Sequence, residues 1–98
     1  MFEIIQSKTY EKWFDALKDR QAVARINMRI RRLSAGLFGD CKPVASGIYE
    51  LRIDYGPGYR VYFTRSGLLV IVLPAGGDKS TQTADINLAI EVAKHWKE

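Results

Sequence analysis

Three hydrophobic periods succeed one another along the chain. Phe2 to Gln6 is a run of aromatic and β-branched residues closed by Ser7 and Lys8, which predicts a short strand. Then the period lengthens. Tyr10, Trp13, Phe14 and Leu17 fall on one stripe of a helix, with Ser7 or Thr9 available to cap it. Asp19 offers a second N-cap, Val23, Ile26, Ile30 and Leu33 follow at three- and four-residue steps, and Gly36 ends this second helix. So short a connection predicts an antiparallel helical hairpin. The segment from Ser34 to Gly47, rich in glycine and carrying Pro43, reads as loop.

Period two takes over at Ile48. Tyr49, Leu51, Ile53 and Tyr55 fall on one side, Glu50, Arg52 and Asp54 on the other. After the turn Gly56-Pro57-Gly58, Tyr59, Val61 and Phe63 continue the apolar side, and Arg60, Tyr62 and Thr64 the polar side. A loop of Gly56–Gly58 sets Asp54 opposite Arg60 and Arg52 opposite Tyr62. Beyond Ser66-Gly67, Leu68 to Leu73 is apolar on both faces, as in a central strand, and Gly76-Gly77 reads as its end. A polar loop, Asp78 to Thr81, leads to a last helix with Ile86, Ala89, Ile90, Ala93 and Trp96 inward. The order β-α-α-β-β-β-α predicts an α+β fold: an antiparallel sheet packed on an N-terminal helical hairpin, with a C-terminal helix. With the helices on one sheet face, the polar face of the strand hairpin stands open to solvent or ligand.

The length, 98 residues, implies one domain over 1–98, and 47% hydrophobic content with 27% charged is ordinary for a folded chain. A single cysteine, Cys41, excludes a disulfide framework, and a single histidine, His95, excludes a His-pair metal site; no metal or cofactor is expected. The charged first twenty residues leave no signal core, and the longest apolar run, Leu68 to Leu73, is far below the roughly 20 residues of a membrane span. A cytoplasmic protein without membrane association is expected. The net charge of +4 comes from the first 46 residues, the remainder being balanced, so a polyanion or an acidic partner is a natural expectation.

Several residues carry candidate chemistry. Arg25, Arg29 and Arg32 form a basic stripe on the second helix, with Lys42 in the following loop; these are candidate contacts to nucleic-acid backbone. Tyr62, on the face expected to be open, is suited to stacking on a base. Gly76 to Ser80 tempts a phosphate-loop reading, but Asp78 stands where that motif needs glycine before its lysine.

The run from Gly47 through Gly56-Pro57-Gly58-Tyr59-Arg60-Val61-Tyr62-Phe63 strongly resembles the RelE/ParE superfamily of bacterial toxins, in particular the HigB-like, phage-related branch of addiction-module killer proteins. Leu73-Pro74-Ala75-Gly76-Gly77-Asp78-Lys79-Ser80-Thr81-Gln82, followed by Asp85-Ile86 and Ala89, is similar to the same branch. The resemblance implies a RelE-like fold and a type II toxin restrained by a helix-turn-helix antitoxin, the complex binding its own operator DNA. It implies cleavage of mRNA in the ribosomal A site, the ribose 2′-OH attacking the adjacent phosphate without a metal. It places the key cation at Arg60, with further cations at Arg52 and Lys79. Such a reaction needs fixed positive charge on the phosphate and a proton acceptor, for which Tyr62, Glu50, Asp54, Lys79 and Asp85 are all open. The superfamily also contains inhibitors of DNA gyrase, so a ParE-like, non-enzymatic activity is the alternative.

Overall fold

The computed structural model describes residues 1–96 and is built on a five-stranded mixed sheet. The elements are β1 (Glu3–Gln6), α1 (Lys8–Asp15), α2 (Arg20–Ser34), β2 (Cys41–Ala45), β3 (Ile48–Ile53), β4 (Tyr59–Ser66), β5 (Val70–Asp78), a 3-10 turn (Lys79–Thr81) and α3 (Gln82–Lys94). The strand order is β1-β5-β4-β3-β2, with β1 parallel to β5 and the other pairs antiparallel. The α+β class therefore stands. Among the described residues no helix is long and apolar enough to cross a membrane.

Local chemistry starts the helices where the sequence indicates. The Ser7 hydroxyl oxygen accepts the Tyr10 N–H at 3.0 Å and donates to the Pro74 carbonyl at 3.0 Å, so one side chain caps α1 and ties it to β5. Asp19 accepts the N–H groups of Gln21 and Ala22 and caps α2. Tyr10 from α1 and Ala22, Ile26, Ile30 and Leu33 from α2 are buried with Leu51, Ile53, Val61, Phe63, Ile71 and Leu73 of the sheet. Val23 is only half-buried.

The sheet, expected to be antiparallel, is mixed, because β1 joins its edge parallel to β5. Four further expectations are corrected. First, the Ser34–Gly47 segment contains β2, an edge strand in which Lys42 lies opposite Glu50 and Pro43 opposite Tyr49. Pro43 is tolerated because an edge strand has one unpaired side. The turn to β3 is Ser46-Gly47, with φ of 48° and 78°, the doubly positive geometry of a tight type I′ hairpin.

Second, the β3–β4 loop is Asp54–Gly58 rather than Gly56–Gly58, so Arg52 faces Arg60 and Glu50 faces Tyr62. Asp54 is not the cross-strand partner of Arg60. Third, Leu68 and Leu69 lie exposed in the β4–β5 turn, and β5 runs on through Gly76-Gly77 to Asp78.

The β4–β5 pairing slips between Tyr62 and Thr64, a bulge opposite Leu73 and Pro74. Pro74 has no N–H for the ladder, and a bulge accommodates it. Ile71 before the bulge and Leu73 at its start belong to the core under α1 and α2, whereas Ala75 beyond it belongs to the opposite core. The two glycines that follow make the sheet thin at this point. A Cβ on Gly76 would lie 2.3 Å from the Trp13 ring, and one on Gly77 would lie 1.8 Å from the Asp85 carboxylate. They admit α1 on one face and α3 on the other.

Fourth, the helices do not share one face. α3 covers the second face, where Ala89 packs with Ile48, Tyr62 and Ala75, flanked by Val44, Ile86, Ile90 and Ala93. The polar side of the strand hairpin is thus partly roofed. Trp96, expected on the inner stripe of α3, lies beyond the helix end and is half-buried.

Candidate active site

Where α3 ends its cover, the turn end of the β3–β4 hairpin meets the turn after β5 and a cleft of about 380 Å³ opens. Arg52, Arg60 and Lys79 line it, together with Asp40, Asp54 and the loop Gly56-Pro57-Gly58. The three cations named from the sequence therefore converge, although 27 residues separate Arg52 from Lys79. The carbonyl of Gly58 makes the junction. It accepts the Lys79 N–H at 2.9 Å and the Arg60 Nη1–H at 3.2 Å. Gly58 holds φ at +82°, a conformation that glycine adopts without a steric penalty.

Arg60 is 12% exposed at the side chain, enough to reach the cleft while most of the chain is packed. Its Nη1 also donates to the Tyr59 carbonyl at 3.2 Å. Its Nε lies 3.7 Å from Glu50 Oε1. Arg52, 34% exposed, donates from Nε to the same Glu50 oxygen at 3.1 Å.

Glu50 is fully buried, which no sequence feature indicated. The other oxygen of Glu50, Oε2, accepts from the Tyr62 hydroxyl at 3.2 Å and from Gln82 Nε2 at 2.6 Å. Burial alone would raise the Glu50 pKa. The hydrogen bonds from Gln82, Arg52 and Tyr62 and the charge of Arg60 outweigh it and hold the carboxyl below its ordinary range. Tyr62 is also fully buried. Burial, then the neighbouring Glu50 charge, push its pKa strongly upward, so it stays a neutral donor.

Two roles named from the sequence change accordingly. Tyr62 is under α3 and has no face free to stack on a base, and Glu50 is enclosed by donors and has no path to accept a proton from a ligand. Asp85 lies outside the cleft. Its carboxylate takes the Thr81 hydroxyl hydrogen bond over Gly77 and borders a separate hollow with Trp13 and Leu88. The carboxylates on the cleft wall are Asp40 and Asp54, both exposed. Gln82 had no sequence signal; its role follows from α3 starting directly above Glu50.

The basic stripe on α2 divides. Arg29 reaches the backbone carbonyls of Arg52, Phe38 and Asp40 and clamps the segment before β2 against the end of β3. It is not a free cation, since those carbonyls engage both of its terminal nitrogens. Arg25 stacks over the Tyr55 ring at 4.6 Å, and Tyr55 donates to Asp19 at 3.0 Å. Arg25 and Arg32 border a separate hollow that meets the cleft at Asp54. Lys42 is exposed on β2 across from Glu50 and does not line the cleft. Among the described residues no three His, Cys, Asp or Glu side chains gather as a metal site requires.

No family model matches the chain. A protein of Haemophilus influenzae described as uncharacterized is 49% identical over 87 residues, which cover 89% of this chain and 88% of that protein.

Proposed function

The chain belongs to the family of this Haemophilus influenzae protein, and we propose that it is a metal-independent endoribonuclease that cuts mRNA in the ribosomal A site, as the toxin of a type II module. The observation that carries this reading is the convergence of Arg52, Arg60 and Lys79 on one open cleft, with both guanidiniums backed by a buried carboxylate. The RelE-like arrangement implied by the sequence motifs belongs to the same reading.

In the reaction, a ribose 2′-OH attacks the adjacent phosphorus, the bond to the 5′-oxygen of the next nucleotide breaks, and a 2′,3′-cyclic phosphate and a 5′-hydroxyl result. Negative charge grows on the non-bridging oxygens in the transition state. Fixed guanidinium and ammonium groups stabilise that state more than the ground state. Arg60 Nη2, which has no hydrogen-bond partner among the described residues, is the nitrogen left to meet a phosphate oxygen. Asp40 and Asp54 are the cleft carboxylates available to receive the 2′-OH proton, and the departing 5′-oxygen takes its proton from water. Holding the nucleotide in line supplies much of the remaining rate, and the ribosome does this for an mRNA. A helix-turn-helix antitoxin that covers the cleft would silence the protein, and the complex would bind its operator.

Expression from a tight promoter tests the reading. Growth arrest with mRNA cut inside translated codons is expected, and Arg60→Ala should abolish both while the purified variant remains folded. Cleavage at wild-type rate by Arg60→Ala overturns the site. Blocked gyrase supercoiling with intact mRNA overturns the nuclease reading.

A further inference from the structure

Glu50 is buried on the sheet face where Ile48, Tyr62 and Ala75 pack beneath Ala89 of α3. A charge buried in such surroundings is strongly disfavoured unless it is fully paired, and a hydrophobic residue of similar size would avoid the cost. Arg52, Tyr62 and Gln82 donate hydrogen bonds to it and Arg60 lies at ion-pair distance, so two of its four close partners are the arginines of the cleft.

We propose that Glu50 is a positioning residue: a carboxylate sealed behind the cleft that accepts a hydrogen bond from Arg52 Nε, faces the buried Arg60 Nε at ion-pair distance, and so aims both guanidiniums at one phosphate. This rests on the nuclease reading. Arg52 and Arg60 are direct cross-strand neighbours, two like charges on one pair of strands. Without an anion between them they repel and splay. Glu50 Oε1 lies 3.1 Å from one and 3.7 Å from the other and converts that repulsion into a fixed pair. Gln82 and Tyr62 occupy Oε2 and stop the carboxylate from turning. With Arg52 held at Nε by Glu50 and Arg60 held at Nη1 by the Gly58 and Tyr59 carbonyls, the Arg52 terminal nitrogens and Arg60 Nη2 are the parts presented to the cleft.

Glu50→Gln separates positioning from folding. Its amide oxygen can still accept from Arg52. Its NH2 can face the Tyr62 hydroxyl, which accepts as well as donates, and Gln82, whose amide can turn over. The polar contacts persist and the charge is lost. In ribosome-dependent cleavage, kcat should fall roughly 10- to 100-fold with KM changed less than about threefold, because misaimed cations cost the transition state more than binding. In 15N NMR, the Arg52 Nε–Hε resonance, hydrogen-bonded to the Glu50 carboxylate in the wild type, should exchange faster in Glu50→Gln, because a neutral amide oxygen is a weaker acceptor than a carboxylate. Tyr62→Phe, which keeps the charge and the packing, should lose kcat by only a few-fold. It guards against a Glu50→Gln protein that does not fold.

Wild-type kcat in Glu50→Gln, or unchanged Nε–Hε protection, overturns the assignment. So does a Tyr62→Phe loss that appears as lowered stability with kcat intact. A wild-type protein that cleaves no ribosome-bound mRNA is a different failure: it overturns the nuclease reading itself, and the inference with it.

Discussion

Gly77→Ala probes how β5 passes beneath α3. The added Cβ would lie 1.8 Å from Asp85 Oδ2, 2.6 Å from Asp85 Cγ and 3.1 Å from Thr81 Oγ1. No carbon sits that close to a carboxylate, so Asp85 must swing away and give up its hydrogen bond with Thr81. Overpacking typically costs about 1–3 kcal/mol. The lost hydrogen bond adds about 1 kcal/mol, and alanine returns about 0.5–1 kcal/mol by stiffening the unfolded chain relative to glycine. Gly77→Ala should therefore destabilise by about 2 kcal/mol, or roughly 10 °C in Tm for a domain of this size. Asp85→Ala removes the obstacle, so adding Gly77→Ala to it should cost nearly nothing. Urea denaturation of the wild type, both single variants and the double variant closes the cycle, and a coupling of about 2 kcal/mol is expected. If Gly77→Ala costs the same with and without Asp85, the contact is not what excludes a side chain at position 77.

Three further outcomes follow. Arg29→Ala should destabilise by about 2–3 kcal/mol in urea, because it leaves the carbonyls of Arg52, Phe38 and Asp40 without their charged donor; an unchanged midpoint contradicts the clamp. The Glu50 pKa is depressed on folding, so its contribution is fully present above the unfolded value near 4.5 and is lost as pH falls through the lower folded value. The groups facing it are Arg52, Arg60, Tyr62 and Gln82, and Glu50→Gln should flatten the decline of Tm below pH 4.5; an identical decline removes Glu50 from the acid response. Reversing Arg25 and Arg32 together to Glu should weaken ribosome association and flatten its salt dependence, with either single change doing little; an unchanged salt slope would separate that surface from nucleic-acid contact.

Much of the fold was legible because period and caps are local signals. Ser7 and Asp19 start the helices they were expected to start, and the Tyr10 and Ile26 stripes face the core. What was hidden depends on partners distant in sequence. The bulge at Pro74 inverts the faces of β5, so Gly76-Gly77 resembled an end when it is a thinning between Trp13 and Asp85. Alternation placed Glu50 and Tyr62 correctly on the face opposite Leu51, but it carries no information on what lies above that face. α3 supplies the cover, and its first residue, Gln82, seals Glu50. Arg60 and Arg52 were visible through the hairpin motif, whereas the clamp made by Arg29 depends on the path of the segment before β2 and has no signature in the basic stripe.

The central claim is that the cations of this cleft act on a phosphate attacked by its own ribose. The most direct measurement uses a reconstituted translation complex with two mRNAs, one all-ribose and one with a single 2′-deoxynucleotide on the 5′ side of the scissile phosphate, the products being read by mass spectrometry. The account predicts a 2′,3′-cyclic phosphate from the first and no cleavage of the second at that position, with cleavage of the first abolished in Arg60→Ala. Cleavage of the 2′-deoxy mRNA at the same linkage would contradict it.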